Sequence, residues 1–424
     1  MATKNRSVRW DKLDNTAHLF PVIAGESMTN TYRMSAELKE EVDGELLQQA
    51  LDKVLPKFDL FNVRLRTGFF WYYFEENNKK APKVVEENTY PCRFIRTNHN
   101  RSYLFRVTYY KRRINLEVFH VLTDGMGGVN FLRELTYQYI RLAHPELNLK
   151  DSLASDTSMN REDGFVTNYE KASKKTYQTT KAYELKGDKL PDDAFGVIRG
   201  RVDVGELKKA CHSYGMTINE YIVSAFVYSI YKGGLRGHMT KRPIRVAVPV
   251  NLRPYFDSVT TKNFFVMISA SFLPEAGREY TFEEVITEVR ESIRSQMNKE
   301  HLKETFSYNV AKQSGIIARL VPIWLKGIAI RAVYTQTALA NTSTLTNVGR
   351  VVTKQEYVPY IESFYGYLAM SKGQLLKATV FSYENELSVT FSSVLENCSV
   401  QREFFKALSA DGVNVTVETN GVYI

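Results

Sequence analysis

The segment Ile114-Asn115-Leu116-Glu117-Val118-Phe119-His120 carries a period of two that ends on a histidine. That period is a strand signal, and it puts Ile114, Leu116, Val118 and His120 on one face. Next come Val121-Leu122-Thr123-Asp124-Gly125-Met126-Gly127-Gly128, and then an apolar periodicity over Val129 to Leu142 that predicts a helix. The chain is thus held to a strand, a short glycine-rich loop and a helix in immediate succession, with an imidazole at the strand's end. Strand ends and the loops beyond them are where a rigid scaffold exposes reactive groups. A single histidine in such a place is more often a satisfied core residue, so the motif needs support from elsewhere in the chain. The glycines do not make a phosphate-binding loop, because neither GxGxxG nor GxxxxGK[ST] is present.

The rest of the sequence alternates helix and strand signals. Asp43 to Leu55 predicts an amphipathic helix, and Tyr103 to Tyr110 predicts a hairpin partner for Ile114 to Val121. From Ser152 to Pro191 the chain turns polar with little periodicity, as expected of a crossover between two halves. Beyond it, helices are predicted over Gly205–His212, Thr217–Tyr231, Phe282–Met297 and Val400–Leu408. Strands are predicted over Ile244–Val250, Asn263–Phe272, Leu345–Val351, Leu376–Tyr383 and Glu386–Ser392. Strands and helices mixed within each half point to an α/β (α+β) layered design. The division is an N-terminal half over 1–175, a crossover over 176–195 and a C-terminal half over 196–424.

Composition narrows the function. At 44% hydrophobic and 24% charged residues the chain is that of a globular protein. Cys92, Cys211 and Cys398 are far apart, with no Cys/His cluster at metal-ligand spacing, so no metal is expected. With no apolar leader at the start, a cytoplasmic location is expected. The net charge of +9 suggests an anionic partner. Lys171, Lys174, Lys175 and Lys181 lie in a polar segment poor in aromatics, which argues against nucleic acid. The longest apolar stretch, Ser314 to Tyr334, is interrupted by Arg319, Lys326 and Arg331, and Pro322 would kink a helix there. A membrane span wants ~20 nearly uncharged residues, so this stretch is a poor span; a buried or tunnel-lining helix fits it best, with peripheral lipid contact at 314–334 as the alternative. No GxSxG nucleophile elbow occurs, which disfavours a serine hydrolase.

The pattern His120-Val121-Leu122-Thr123-Asp124-Gly125 resembles the HxxxDG signature of the superfamily of chloramphenicol acetyltransferase, alcohol acetyltransferases, BAHD plant acyltransferases and peptide-synthetase condensation domains. Gly215-Met216-Thr217-Ile218-Asn219 resembles the G-x-T-x-N/D helix start of that superfamily. Val250-Asn251-Leu252-Arg253 resembles its N-x-R strand, Asn263-Phe264 its later N-F segment, and Thr346-Asn347-Val348-Gly349 its S/T-N-x-G strand. The order and spacing match over most of the chain, most closely those of bacterial alcohol-acetyltransferase-like proteins. Two departures stand out. Phe119 occupies the place of the second histidine usual in condensation domains, and the plant enzymes' DFGWG segment has no counterpart.

The resemblance implies two chloramphenicol-acetyltransferase-like halves with a tunnel at their interface. It implies that His120 acts as general base on an acceptor hydroxyl or amine, with acyl-CoA as co-substrate and direct transfer in a ternary complex. An imidazole with an ordinary pKa of ~6.5 suits that role near neutral pH. It also implies that Asp124 pairs with an arginine, for which Arg253 is the candidate, and that Gly125 permits torsions closed to a side chain. Thr346 or Asn347 would face the oxyanion; Asn347 is equally suited to stabilising the turn before Gly349. A carrier-protein-bound acyl donor and a non-catalytic binding member of the superfamily are the competing expectations. No feature of the sequence identifies residues that contact coenzyme A.

Overall fold

The computed structural model describes residues 9–171, 180–314 and 320–423. Lys174, Lys175, Arg319 and the 315–319 part of the apolar stretch lie outside the described residues. The first strands are β1 (Trp10–Lys12), β2 (Thr31–Leu38), β3 (Val63–Thr67), β4 (Tyr72–Glu76), β5 (Val85–Glu86), β6 (Phe105–Tyr110) and β7 (Arg113–Phe119). They are followed by β8 (Gly196–Asp203), β9 (Ile244–Asn251), β10 (Phe265–Phe272) and β11 (Ser343–Val351). The last are β12 (Ile361–Leu368), β13 (Leu376–Tyr383), β14 (Glu386–Ser393) and β15 (Val415–Thr419). The helices are α1 (Phe20–Ile23), α2 (Gly44–Val54), α3 (Gly125–Ala143), α4 (Gly164–Thr167) and α5 (Val204–Ser213). They continue with α6 (Ile218–Ser229), α7 (Phe282–Arg294), α8 (Lys299–Ser314), α9 (Ile323–Ala338) and α10 (Ser399–Ala410).

Two mixed sheets flanked by helices give the expected α/β class. One runs β12-β2-β7-β6-β5 and the other β10-β9-β11-β13-β14-β8-β15, with β1-β4-β3 as a small third sheet. Each large sheet has its own apolar core. Leu47, Ala50, Leu51 and Val54 of α2 and the buried face of α3 pack with Met34, Leu116 and Val118. Val246, Ile268, Leu345, Ala378 and Val380 pack against α6 and α7 in the second core. Asp43 caps α2 by accepting from Glu45 N–H at 2.7 Å and Leu46 N–H at 3.0 Å, which explains where that predicted helix begins.

The faces turned away from these cores meet in a polar layer. Arg33 on β2 pairs with Glu117 on β7 at 2.8 Å and also with Glu87, while Arg106 pairs with the other Glu117 oxygen. Arg199 on β8 reaches Glu37 on β2 at 3.0 Å, across the two sheets. One strand changes sides. β12 follows β11 in sequence but pairs with β2, with Phe364 opposite Ala36 and Tyr365 opposite Ser35. The N-terminal sheet is therefore completed by residues from the C-terminal part of the chain.

The predicted loop before α3 is shorter than expected. Gly125, Gly127 and Gly128 already belong to the first turn of α3, and Asp124 is its N-cap. Gly125 does not have a positive φ, and a Cβ there would meet Met34 Cε and a Val348 methyl only at 3.6 Å. The torsional reason expected for Gly125 is thus replaced by a steric one at its neighbour. A Cβ on Gly127 would lie 1.9 Å from Thr123 Oγ1 and 2.7 Å from Thr261 O, so the helix can approach the 260–264 segment only with glycine there. Pro322 starts a helix rather than kinking one: it is the N-cap of α9.

Candidate active site

His120 follows β7, where the sheet ends, and its N–H donates to Asn30 O at 2.9 Å. The ring is half-buried between aromatics. Phe20 of α1 stacks on it with centroids 4.6 Å apart and planes at 22°. Tyr32 meets it edge-on at 5.1 Å, and Phe265 closes the C-terminal side at 5.7 Å. A ring held on three sides has one useful degree of freedom left, its tautomer.

Asn263 sets that tautomer. Its Nδ2 donates to Asp14 Oδ2 at 2.8 Å, and its backbone N–H reaches the same oxygen at 3.2 Å. The amide is therefore turned so that Oδ1 faces His120 Nδ1, 3.0 Å away. An amide oxygen can only accept, so Nδ1 carries the proton and Nε2 presents its lone pair. Asn263 and Asp14 are both buried, and Asp14 Oδ1 also accepts from Ala17 N–H at 2.8 Å. Burial pushes the Asp14 carboxyl up to about 7, against the downward pull of Asn263 and the two backbone N–H groups. Burial also moves His120 below the ordinary histidine value, opposed by its own carbonyl, Asp124 and Asn263, while Lys377 adds to the lowering. The neutral imidazole, which is the form a base requires, is thereby favoured at neutral pH.

Asp124 and Arg253 are brought together. Arg253 Nη1 lies 2.9 Å from Asp124 Oδ2 and Nη2 lies 3.1 Å from Oδ1, a two-point pair in which both side chains are about one-tenth exposed. The same carboxylate caps α3 by accepting from Met126 N–H at 3.1 Å and accepts from Phe264 N–H at 3.0 Å. Arg253 uses its remaining donors on Thr260 O and Lys262 O, both at 2.7 Å, and on Asn251 Oδ1 at 3.1 Å. Asp124 thus spends its carboxylate on Arg253 and backbone N–H groups and joins the α3 N-terminus to the 260–264 segment. Thr123 Oγ1 strengthens the junction by donating to Thr261 O at 2.5 Å. This clamp is what delivers Asn263 to His120.

Thr346 and Asn347 diverge. On β11, Leu345 enters the second core, so Thr346 lies on the opposite face, beside Thr379 of β13. Asn347 Nδ2 donates to Asn219 Oδ1 at 3.0 Å and its Oδ1 accepts from Gly349 N–H at 2.9 Å. Asn347 therefore holds the bulge between Asn347 and Gly349, where Gly349 has a φ of 87°. Val348, in the bulge, lies against Gly125 and ties this strand to the histidine loop.

Three side chains enter that sequence reasoning did not assign. Asn263 belonged to a recognised segment without a role. Asp14 lies more than a hundred residues from His120 in sequence, and no local pattern marks it. Lys377 sits on the Thr346 face of the second sheet, bonded to Ser371 Oγ, and burial pushes its ammonium down to about 8. A lysine within the strand pattern of Leu376 to Tyr383 was its only sequence signal.

Neither a family model nor a curated protein sequence matches this chain. Solved structures do. The chain is similar to the Fusarium sporotrichioides protein TRI101 complexed with coenzyme A and T-2, with a TM-score of 0.60, 11% identity and 95% and 97% of the two chains covered. It is similar to polyketide synthase associated protein 5 from Mycobacterium tuberculosis, with a TM-score of 0.59, 14% identity and 94% and 97% covered. It is also similar to the condensation domain of the Monacolin K polyketide synthase MokA, with a TM-score of 0.58, 9% identity and 96% and 97% covered. At these identities the likeness establishes a shared fold, extending over nearly the whole of each chain.

Proposed function

We propose that this protein is an acyltransferase that moves an acyl group from a thioester donor to the hydroxyl or amine of a small acceptor, with His120 as general base. The observation that carries this reading is the Asp14–Asn263–His120 chain. It fixes the proton on Nδ1 and leaves Nε2 free, as removal of an acceptor proton requires. His120 Nε2 takes that proton as the acceptor oxygen or nitrogen attacks the thioester carbonyl. The carbonyl's electrons move to oxygen, then return as the C–S bond breaks, and the proton passes to the departing thiolate. No covalent acyl-enzyme forms. Thr346, on the face of β11 that leaves the core, supplies the donor to the oxyanion, whereas Asp124, Gly125 and Arg253 shape the loop. The TRI101 complex with coenzyme A supports acyl-CoA as the donor, and the condensation-domain likeness supports a carrier-bound thioester as the alternative.

Free thiol release from acetyl-, malonyl- and long-chain acyl-CoA, with a panel of alcohols and amines, tests the reading. Acceptor-dependent release assigns coenzyme A as the donor. Transfer only from an acylated carrier protein assigns the condensation-like alternative. Saturable acceptor binding without transfer from either donor would leave a non-catalytic binding protein.

A further inference from the structure

Helix α9 is apolar on its outward as well as its inward side. Inward, it rests on α1, where Arg331 Nε donates to Val22 O at 2.8 Å. Outward, Trp324 is 63% and Ile328 64% exposed, with Leu325 and Val333 also exposed. The turn between β3 and β4 extends this surface. Ile323 N–H donates to Phe69 O at 2.9 Å and Lys326 Nζ to Phe70 O at 2.8 Å, while Phe69 and Trp71 stand exposed beside the helix. Two elements distant in sequence thus place their largest apolar side chains together in water, which marks an interaction surface.

The surrounding charge says what covers it. No aspartate or glutamate occurs between Glu304 and Glu356, although Lys326, Arg331, Arg350 and Lys354 do. At about 100° per residue, Lys326 and Arg331 fall on the two edges of the outward stripe made by Trp324, Leu325, Ile328 and Val333. With its opposite face packed on the protein, an outward apolar stripe with aromatic residues, edged by cations and free of carboxylates, is suited to rest at the headgroup level of a negatively charged bilayer. Among the described residues no helix is long and apolar enough to cross a membrane, so contact is from one side.

We propose that α9 and the Phe69–Trp71 turn form a docking surface for an anionic lipid membrane. The aromatic and aliphatic side chains enter at headgroup level, and Lys326 and Arg331, each keeping one hydrogen bond to a backbone carbonyl, offer their remaining N–H donors to the phosphates. The surface lies one short helix from the chemistry, because Phe20 of α1 stacks on His120. A lipid-dissolved acceptor or acyl chain would then meet the imidazole from this side. That consequence depends on the acyl-transfer reading, whereas membrane binding is measured without turnover.

The test is co-sedimentation of the full chain with phosphatidylcholine vesicles, with and without phosphatidylserine, together with tryptophan emission. Trp10, Trp71 and Trp324 are the only tryptophans, so in a Trp10→Phe background the emission reports this surface alone. Binding to the mixed vesicles is expected, weakened by salt and accompanied by a blue shift. Trp324→Asp with Ile328→Asp is expected to lower binding by at least about tenfold. Met239→Asp, at a residue 78% exposed outside this surface, is expected to leave binding unchanged. Absence of binding by the wild type, or binding that survives the double substitution, would overturn the proposal. So would a concentration-dependent dimer that Trp324→Asp abolishes without any vesicle binding, since the face would then belong to a second copy.

Discussion

Replacing Asn263 with alanine removes one acceptor and one donor from a fully buried place. His120 Nδ1–H loses the oxygen 3.0 Å away, and Asp14 Oδ2 loses the amide at 2.8 Å. Asp14 Oδ2 keeps the Asn263 backbone N–H at 3.2 Å, so only the histidine N–H is left without a partner, and at about 1–3 kcal/mol for one such buried group the variant should lose roughly that much stability. The effect on rate has a different origin. Phe20, Tyr32 and Phe265 still hold the ring, so its position changes little. What is lost is the preference for the Nδ1–H tautomer. Outer partners that orient a metal-ligating histidine are worth about 10–100-fold, and a loss of that order is expected for this oriented base, in kcat more than in KM. Steady-state thiol release gives the rate, and nitrogen NMR of the labelled ring gives the tautomer. A folded Asn263→Ala protein with kcat within about twofold of wild type, or with an unchanged tautomer, would refute the reasoning.

Other outcomes follow from the same geometry. Arg253→Gln strands the Asp124 carboxylate and should cost about 3–5 kcal/mol in urea unfolding, much of it recovered when Asp124→Asn is added. Thr346→Ala should lower kcat by about 10²–10³-fold at nearly constant KM if its hydroxyl serves the oxyanion. The pH profile of kcat/KM should fall on the acid side with two components. His120 loses its base form only as pH drops through a value below the ordinary histidine range, because burial lowers its pKa. Asp14 becomes protonated below about 7, since its pKa is raised, and Asp14→Asn should remove that upper component while leaving the histidine limb.

Some of this was legible in the sequence and some was not. The strand ending at His120 was readable because the period of two runs unbroken into it, and α2 because its apolar face is regular and Asp43 caps it. The start of α3 was misjudged because three glycines read as loop, whereas Gly127 serves a close backbone approach that depends on Thr261, far along the chain. The crossing of β12 into the N-terminal sheet left no local trace, since pairing of Phe364 with Ala36 is a long-range choice set by both sheets together. At the site, the resemblance implied an arginine partner for Asp124, with Arg253 as the candidate, and the fold places the two 2.9 Å apart. Asp14 was out of reach, because nothing near it in sequence distinguishes a buried acceptor from an ordinary surface carboxylate.

The central claim is that His120 is the base of an acyl transfer, and His120→Ala tests it most directly. General base catalysis contributes about 10²–10⁴-fold, so acceptor-dependent thiol release should fall by that factor while thermal unfolding shows an intact fold. Turnover by His120→Ala at the wild-type rate would contradict the claim.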